Sequence, residues 1–278
     1  MIAGGKRVDS AITPPGPNRP LPLSVFVVTL DEEVNLRRCL NSLDGRAAEI
    51  VIVDSGSTDG TRAVAEEFGA RWFHRDWSGF RDQKNYALSQ CRQEWVLCLD
   101  ADEELSEDLL GEVERWTTQP PSSGVAGVRC RRLSQFLGRW IRHGDWYPDK
   151  QLRLFKREHG KFAGGAGHDH AEVDGPVVEV KADLLHYSYP SINSFVSKLN
   201  GFSDAYCEDR VARGKRWSLA GNILRPWWRF FRGYLLRRGF LDGFPGYWIA
   251  KSAAYSTFLR HSRLYEHQHA RPKDEKDA

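Results

Sequence analysis

The chain has 278 residues, 41% of them hydrophobic and 28% charged, with a formal net charge of only +3. This suits a folded globular protein of one large domain or two small ones, and a balance so near neutral points to no partner class by itself. The five cysteines, Cys39, Cys91, Cys98, Cys130 and Cys207, include no CxxC pair. That pattern argues against a disulfide framework or a zinc ribbon and for reduced thiols in the cytoplasm.

Residues 1–20 carry Pro14, Pro15, Pro17 and Pro20 and lack an apolar stretch, so a disordered leader is expected there and not a secretory signal. No run of about 18 apolar residues occurs, so no membrane span is expected. Leu23 to Leu30 is a continuous β-branched run, like a strand buried on both faces. Val34, Leu36, Cys39, Leu40 and Leu43 follow at helical spacing. Glu49 to Asp54 is a second strand, and "SGSTDG" after it is turn chemistry. A helix over Ala63–Phe68, a short strand at Arg71–His74, a helix over Phe80–Gln90 and a strand at Trp95–Leu99 complete an alternation that implies βαβ units and a parallel sheet. Beyond Glu104 the pattern changes. Leu105 to Trp116 reads as helix, with Ser106 as a candidate N-cap. Short strands at Val125–Arg129, Gln151–Phe155, Val177–Val180 and Asp183–His186 suggest an antiparallel extension of the sheet. From Ser191 the reading is mostly helical, and the last dozen residues are polar.

The stretch "VLCLDADEE" brings Asp100, Asp102, Glu103 and Glu104 to the tip of an apolar strand. Thr29, Asp31 and Glu32 follow the first strand and Asp54 the second. In open α/β sheets ligands bind outside the carboxyl ends of the strands, so three loops converge on one edge. Paired aspartates at an apolar strand end are costly unless compensated. Mg²⁺ or Mn²⁺, held by one or two carboxylates and by diphosphate oxygens, would compensate them. The plainer reading is an acidic helix start, with Glu103 and Glu104 favouring the dipole.

"LSVFVVTLDEEVNL", "EIVIVDSGSTDGT", "GFRDQKNYAL" and "WVLCLDADEEL", in this order and spacing, resemble the N-terminal motifs of family 2 glycosyltransferases. With the later motifs the resemblance spans about Leu23 to Glu266, and it is nearest to the bacterial lipopolysaccharide-core glucosyltransferases that act on heptose. It implies a GT-A fold: a Rossmann-like mixed sheet flanked by helices, over residues 21–190. A helical, basic-aromatic extension would follow over 191–266, and a flexible tail over 267–278. It also implies a nucleotide-diphosphate sugar donor. Thr29, Glu32 and Asp54 match positions of the nucleotide pocket, Lys84 and its neighbour Asn85 positions near the base or phosphates, Asp100 a position near the ribose, and Asp102 the metal ligand. Asp31 departs from the asparagine usual there. Read as residues alone, Asp54 equally suits turn capping and Lys84 an exposed helix lysine.

Inverting transfer needs a general base for the acceptor hydroxyl, and a carboxylate within hydrogen-bond reach can serve. The segment "RLFKREHGKFAGGAGHDHAEVDG" resembles the subgroup's strand followed by a His-Glu pair, here His168-Asp169. Asp169 is therefore the first candidate base, although the match is a methylene short. Asp149 in "WYPDKQLRLF" is the second and Asp145 the third. Asp169 also suits an ordinary turn. The resemblance places His186 of "DLLHYSY" near the donor diphosphate, where it could complete the metal shell; a structural histidine is the alternative.

From Arg210 to Leu241 there are nine lysines or arginines and no acid, interleaved with aromatics. On a helical wheel Leu224, Trp227, Trp228, Phe231, Tyr234 and Leu235 share one arc, and Arg225, Arg229 and Arg232 the other. Pro226 is expected in the first turn of that helix. Such a helix could lie on an anionic bilayer surface, or pack its aromatic face on the catalytic domain. The resemblance favours the membrane. No nucleic-acid motif is present, and no nucleic-acid partner is expected.

The sequence thus predicts an inverting, metal-dependent glycosyltransferase, peripheral on the inner face of the cytoplasmic membrane. It would carry glucose from a UDP-sugar to a lipid-linked saccharide acceptor such as lipopolysaccharide inner core. The alternatives are another donor on an exopolysaccharide or other lipid-linked oligosaccharide, and a non-catalytic nucleotide-sugar-binding membrane scaffold.

Overall fold

Strands β1 (Leu21–Thr29) and β2 (Ala47–Asp54) are apolar and β-branched. Such runs are stable only with both faces covered, which places them inside a parallel sheet. The computed structural model describes residues 20–119, 124–164, 169–189, 191–197, 207 and 210–270; the expected leader, His168 and the tail beyond 270 lie outside them. With β3 (Arg71–His74) and β4 (Trp95–Asp100), the first half forms the parallel order β3-β2-β1-β4. Helices α1 (Glu33–Asn41), α2 (Thr61–Glu67) and α3 (Phe80–Gln90) connect successive strands. The register sets Thr29 opposite Asp54 and Val28 opposite Asp100. The polar ends expected to converge are therefore level at one edge.

The second half adds β5 (Glu103–Leu105), α4 (Glu107–Thr118), β6 (Gly127–Phe136), β7 (Arg139–Trp140), β8 (Asp149–Lys156), β9 (Gly160–Ala163), β10 (His170–Val173) and β11 (Val177–Tyr189). The sheet continues β4-β8-β6-β11-β5. Strand β8 runs antiparallel to β4 and to β6, as expected, but β11 is parallel to β6. The chain leaves the sheet after β8, folds the β9-β10 hairpin, and returns beyond β6 in the same direction. The two strands expected at Val177–Val180 and Asp183–His186 are one, with a register shift between Glu179 and Asp183. Helix α4 starts two residues later than expected because Glu103–Leu105 pairs with β11. Ser106 is its N-cap, accepting a bond from the Leu109 amide at 3.2 Å.

Helices α1, α2 and α4 cover one face of the sheet through Leu36, Leu40, Val64, Leu109 and Val113. Helix α3 and β9 cover the other, where Ala87, Leu88 and Phe162 pack on Phe26, Val96 and Phe155. A third cluster of Phe136, Ile141 and Ile249 joins the end of the sheet to the C-terminal helices.

Those helices are α5 (Leu219–Phe231) and α6 (Gly243–Tyr265). Ser218 caps α5, accepting from the Gly221 amide at 3.2 Å. The helix therefore begins well before Pro226, which lies inside it and not in its first turn. Having no N–H, Pro226 cannot bond the carbonyl a turn earlier. A tight turn returns the chain to α6. A Cβ on Gly246 would lie 1.9 Å from the Gly239 carbonyl oxygen, so only glycine permits this approach. Helical turns continue through Glu266–Ala270, past the expected end of the extension. Among the described residues, no helix is long and apolar enough to cross a membrane.

The expected amphipathic helix is present in α5, but its polar side is turned inward. Arg225, Arg229 and Arg232 line a cleft against the sheet. Leu224 and Trp227 are 63% and 64% exposed. Trp228 of the same arc lines the cleft beside the arginines, and Arg225 remains exposed, so neither face is wholly turned one way.

Candidate active site

The loop after β2 is built around Asp54, which is buried. One carboxylate oxygen accepts the Gly56 and Ser57 amides, each at 2.8 Å. The other accepts the Thr29 hydroxyl at 3.1 Å and the Ser57 hydroxyl. Asp54 thus caps the turn and welds β1 to β2. Asp31 adopts φ 52°, a conformation that aspartate and asparagine share. Its carboxylate accepts the Thr58 amide at 2.7 Å, so the residue that departs from the usual asparagine still ties the two loops together. Glu32 bonds the Thr61 hydroxyl through its amide at 2.8 Å and accepts from the Asn35 side chain at 2.6 Å. The Asn85 side-chain amide gives and takes bonds with the Phe162 backbone, both at 2.9 Å, and clamps α3 to β9.

Lys84 projects from the same helix into the carboxyl edge of the sheet. Its ammonium is 3.0 Å from Asp100 and 3.3 Å from Asp169, bringing three of the predicted residues together. Burial is the largest influence and would depress the Lys84 pKa, but the opposing pull of Asp100, joined by Cys98 and Asp169, outweighs it and holds the ammonium charged above its ordinary range. Opposite Lys84, Arg153 of β8 reaches Asp100 at 2.7 Å and Glu103 at 2.5 Å. Asp100 is pushed upward by burial and pulled further downward by Arg153 and Lys84, so it stays ionised well below the usual carboxylate range. Glu103 is 0% exposed, and it also accepts the Asp100 amide at 3.0 Å. The acid expected at a helix start is therefore a buried strut of the site. The motifs did not mark Arg153 as a site residue; its signal was a cation in the middle of an apolar strand.

On the far side of Asp100, the His186 Nε2 lies 3.3 Å from Asp102 Oδ2. Its Nδ1 is 3.1 Å from the Ser134 hydroxyl, which fixes the ring with Nε2 toward the aspartate. A carboxylate and an oriented imidazole meeting at this distance fit two ligands of one divalent cation. Among the described residues, no third side chain joins them. A cation that takes its remaining ligands from water and a diphosphate needs no more.

Beyond His186 opens a cleft of about 670 Å³ between the sheet and helices α5 and α6. Asp149 lines it, but both of its oxygens are engaged, one by Arg132 at 2.7 Å and the other by Gln151 at 2.8 Å. Asp145 is the anchor of the helical wall, contacting Arg229 at 3.2 Å and Arg232 and Arg237 at 3.0 Å. Asp169 lends one oxygen to Lys84.

A mixed sheet with a parallel half, flanked by helices and carrying acids at its carboxyl edge, matches the GT-A fold that the motifs imply. The sequence model of glycosyl transferase family 2 matches residues 24–171, and the chain belongs to that family. It is 32% identical over 259 residues to an uncharacterized glycosyltransferase of Rickettsia felis, covering 88% of this chain and 89% of that one. It is also 32% identical over 256 residues to the lipopolysaccharide core biosynthesis glycosyltransferase LpsC of Rhizobium meliloti, covering 88% and 93%. Among solved structures, glucosyl-3-phosphoglycerate synthase of Mycobacterium tuberculosis is similar with a TM-score of 0.43 and 18% identity, over 60% of this chain and 72% of that one.

Proposed function

We propose that this glycosyltransferase inverts the anomeric centre of a UDP-sugar, glucose being the sugar, as it transfers it to a lipid-linked saccharide such as lipopolysaccharide inner core. The observation that carries the reading is that His186, paired with Asp102 at the acidic strand edge, also lines the cleft. A donor at the strand edge and an acceptor in the cleft would meet at His186. The relationship to LpsC supports the acceptor class.

In this mechanism the loop built on Asp54 and Thr29 shapes the nucleotide pocket, with Glu32 at its rim. The Lys84 ammonium lies beside the donor, and Asp100 holds it in place. Mg²⁺ or Mn²⁺ between Asp102 and His186 would neutralise the leaving diphosphate. Asp169 takes the acceptor proton as the hydroxyl attacks in line. It is preferred to Asp149 because Asp149 has both oxygens already bonded, to Arg132 and Gln151. The outward apolar face of α5 seats the enzyme in the inner surface of the cytoplasmic membrane, where indole rings favour the interface.

Calorimetric titration with UDP-glucose, UDP-galactose and GDP-mannose, with and without Mn²⁺, tests the reading. UDP-glucose should bind only with the metal, and Asp102→Ala should abolish that binding. Asp169→Asn should keep donor binding and lose transfer by about 10²-fold or more. Metal-independent binding of UDP-glucose would overturn the metal assignment, and full transfer by Asp169→Asn the choice of base.

A further inference from the structure

The Asp102–His186 pair is held from outside the site. Asp102 lies in the turn between β4 and β5, and β5 has only three residues, which pair with Leu184 to His186 of β11. A ladder this short gives the turn little hold of its own. Tyr187 carries the hold past its end. The Tyr187 amide donates to the Asp102 carbonyl at 2.9 Å, and its hydroxyl donates to Glu104 at 2.7 Å. The neighbour of His186 is thus bonded to the two residues that flank Glu103.

The Tyr187 ring is gripped in turn. The Arg38 guanidinium, from α1, stands 3.5 Å from the ring centroid, and the Trp140 indole meets the ring edge-on at 5.2 Å between centroids. A guanidinium over a tyrosine face is attracted by the ring quadrupole, more strongly where both are partly out of water. Arg38 also lies 3.8 Å from Glu104, so one cation serves both the ring and the acceptor of its hydroxyl. Its own position is fixed along α1: Arg38 donates to Asn35 at 2.5 Å, and Asn35 donates to Glu32 at 2.6 Å. At the end of the same helix the Ser42 hydroxyl accepts the Leu105 amide at 3.1 Å, so α1 holds β5 at Leu105 as well as at Glu104. A metal site binds tightly when its ligands already stand where the ion needs them, and the groups behind the ligands set that placement.

We propose that Arg38 is a positioning residue for the divalent cation: through Tyr187 and Glu104 it holds Asp102 and His186 at chelating distance before the ion arrives. This rests on the reading of Asp102 and His186 as metal ligands. Without the guanidinium the Asp102 turn and the end of β11 move more independently, and the ion must order its ligands as it binds.

The test uses the full chain at saturating UDP with Mn²⁺ as the probe, free Mn²⁺ being read from its electron paramagnetic resonance signal. Arg38→Met should weaken Mn²⁺ binding by about tenfold or more. Tyr187→Phe keeps the ring beneath the guanidinium, loses the bond to Glu104, and should weaken binding by a smaller factor. With Mn²⁺ saturating, the nitrogen modulation that the His186 imidazole imposes on the bound ion should be present in the wild type and diminished in Arg38→Met. A merely structural arginine would lower the urea midpoint and leave both affinity and modulation as they are, and that result would overturn the proposal. Should Arg38→Met fail to fold, wild-type affinity in Tyr187→Phe would overturn it instead. Asp102→Ala separates the two readings. If it binds Mn²⁺ like the wild type, the metal reading falls and the proposal with it; if it alone loses the ion, the metal reading stands and the proposal falls.

Discussion

Arg153 lies mid-strand in β8 with its guanidinium between Asp100 and Glu103. Its side chain is 7% exposed, and the two acids keep its pKa above the ordinary value although burial opposes them. Lys84 completes the charge balance from the other side of Asp100. Removing one partner from such a buried network leaves an uncompensated charge, at about 3–5 kcal/mol. Arg153→Met should therefore lower the urea-unfolding free energy by about that amount. Lys84→Met should cost less, because Asp100 keeps Arg153 while Glu103 loses nothing. A loss under about 1 kcal/mol for Arg153→Met would show that the acids are satisfied by water instead. The same network explains the acids at the strand tip. Asp100 and Glu103 are committed to internal cations, and Asp102 is turned toward His186.

Helix α5 is an amphipathic element whose polar stripe is used by the protein and whose apolar stripe is presented outward. Ile223, Leu224 and Trp227 are each more than half exposed, and Phe244 and Tyr247 of α6 are exposed nearby in the chain. Burying such side chains is worth roughly 1.5–3 kcal/mol each. Leu224→Ser with Trp227→Ser should therefore weaken co-sedimentation with phosphatidylglycerol vesicles by at least about tenfold. Arg229→Gln should leave it nearly unchanged, because that side chain is turned to Asp145. The opposite ranking would restore an electrostatic docking patch. Trp228 of the wheel's apolar arc lines the cleft beside the arginines, and the wheel could not say which stripe of α5 faced the sheet. That depended on Asp145, which lies 84 residues upstream of Arg229 and gathers three arginines inward.

Over the whole molecule, the C-terminal helices close on the sheet through a polar clasp. Asp145 holds Arg229, Arg232 and Arg237, while Asp242 accepts the His143 amide at 2.8 Å and its ring at 3.0 Å. His261 is buried behind this clasp, and burial, Arg225 and Arg210 depress its pKa. Its unfolded form therefore binds a proton at a pH where the folded form does not. The stabilisation is complete above the unfolded pKa, about 6.5, and is lost as pH falls toward the depressed folded value. The urea midpoint of the wild type should drop between pH 7 and pH 5.5 more steeply than that of His261→Gln. Parallel slopes would mean that the imidazole accepts its proton without cost.

The sequence alone determined the parallel half of the sheet, because continuous β-branched runs alternating with helical spacing have few other ways to bury their surface. It also determined the polar edge: Thr29, Asp54, Asp100 and Asp102 follow strand ends, and strand ends are fixed by local chemistry. Tertiary structure decided everything that depended on distant pairing. The parallel return of β11, the burial of Glu103 against Arg153, the engagement of Asn85 by Phe162 and the inward turn of the α5 arginines all join residues far apart in the chain. Periodicity reports which side of an element is apolar. Only the packed structure settles which charges find one another across it.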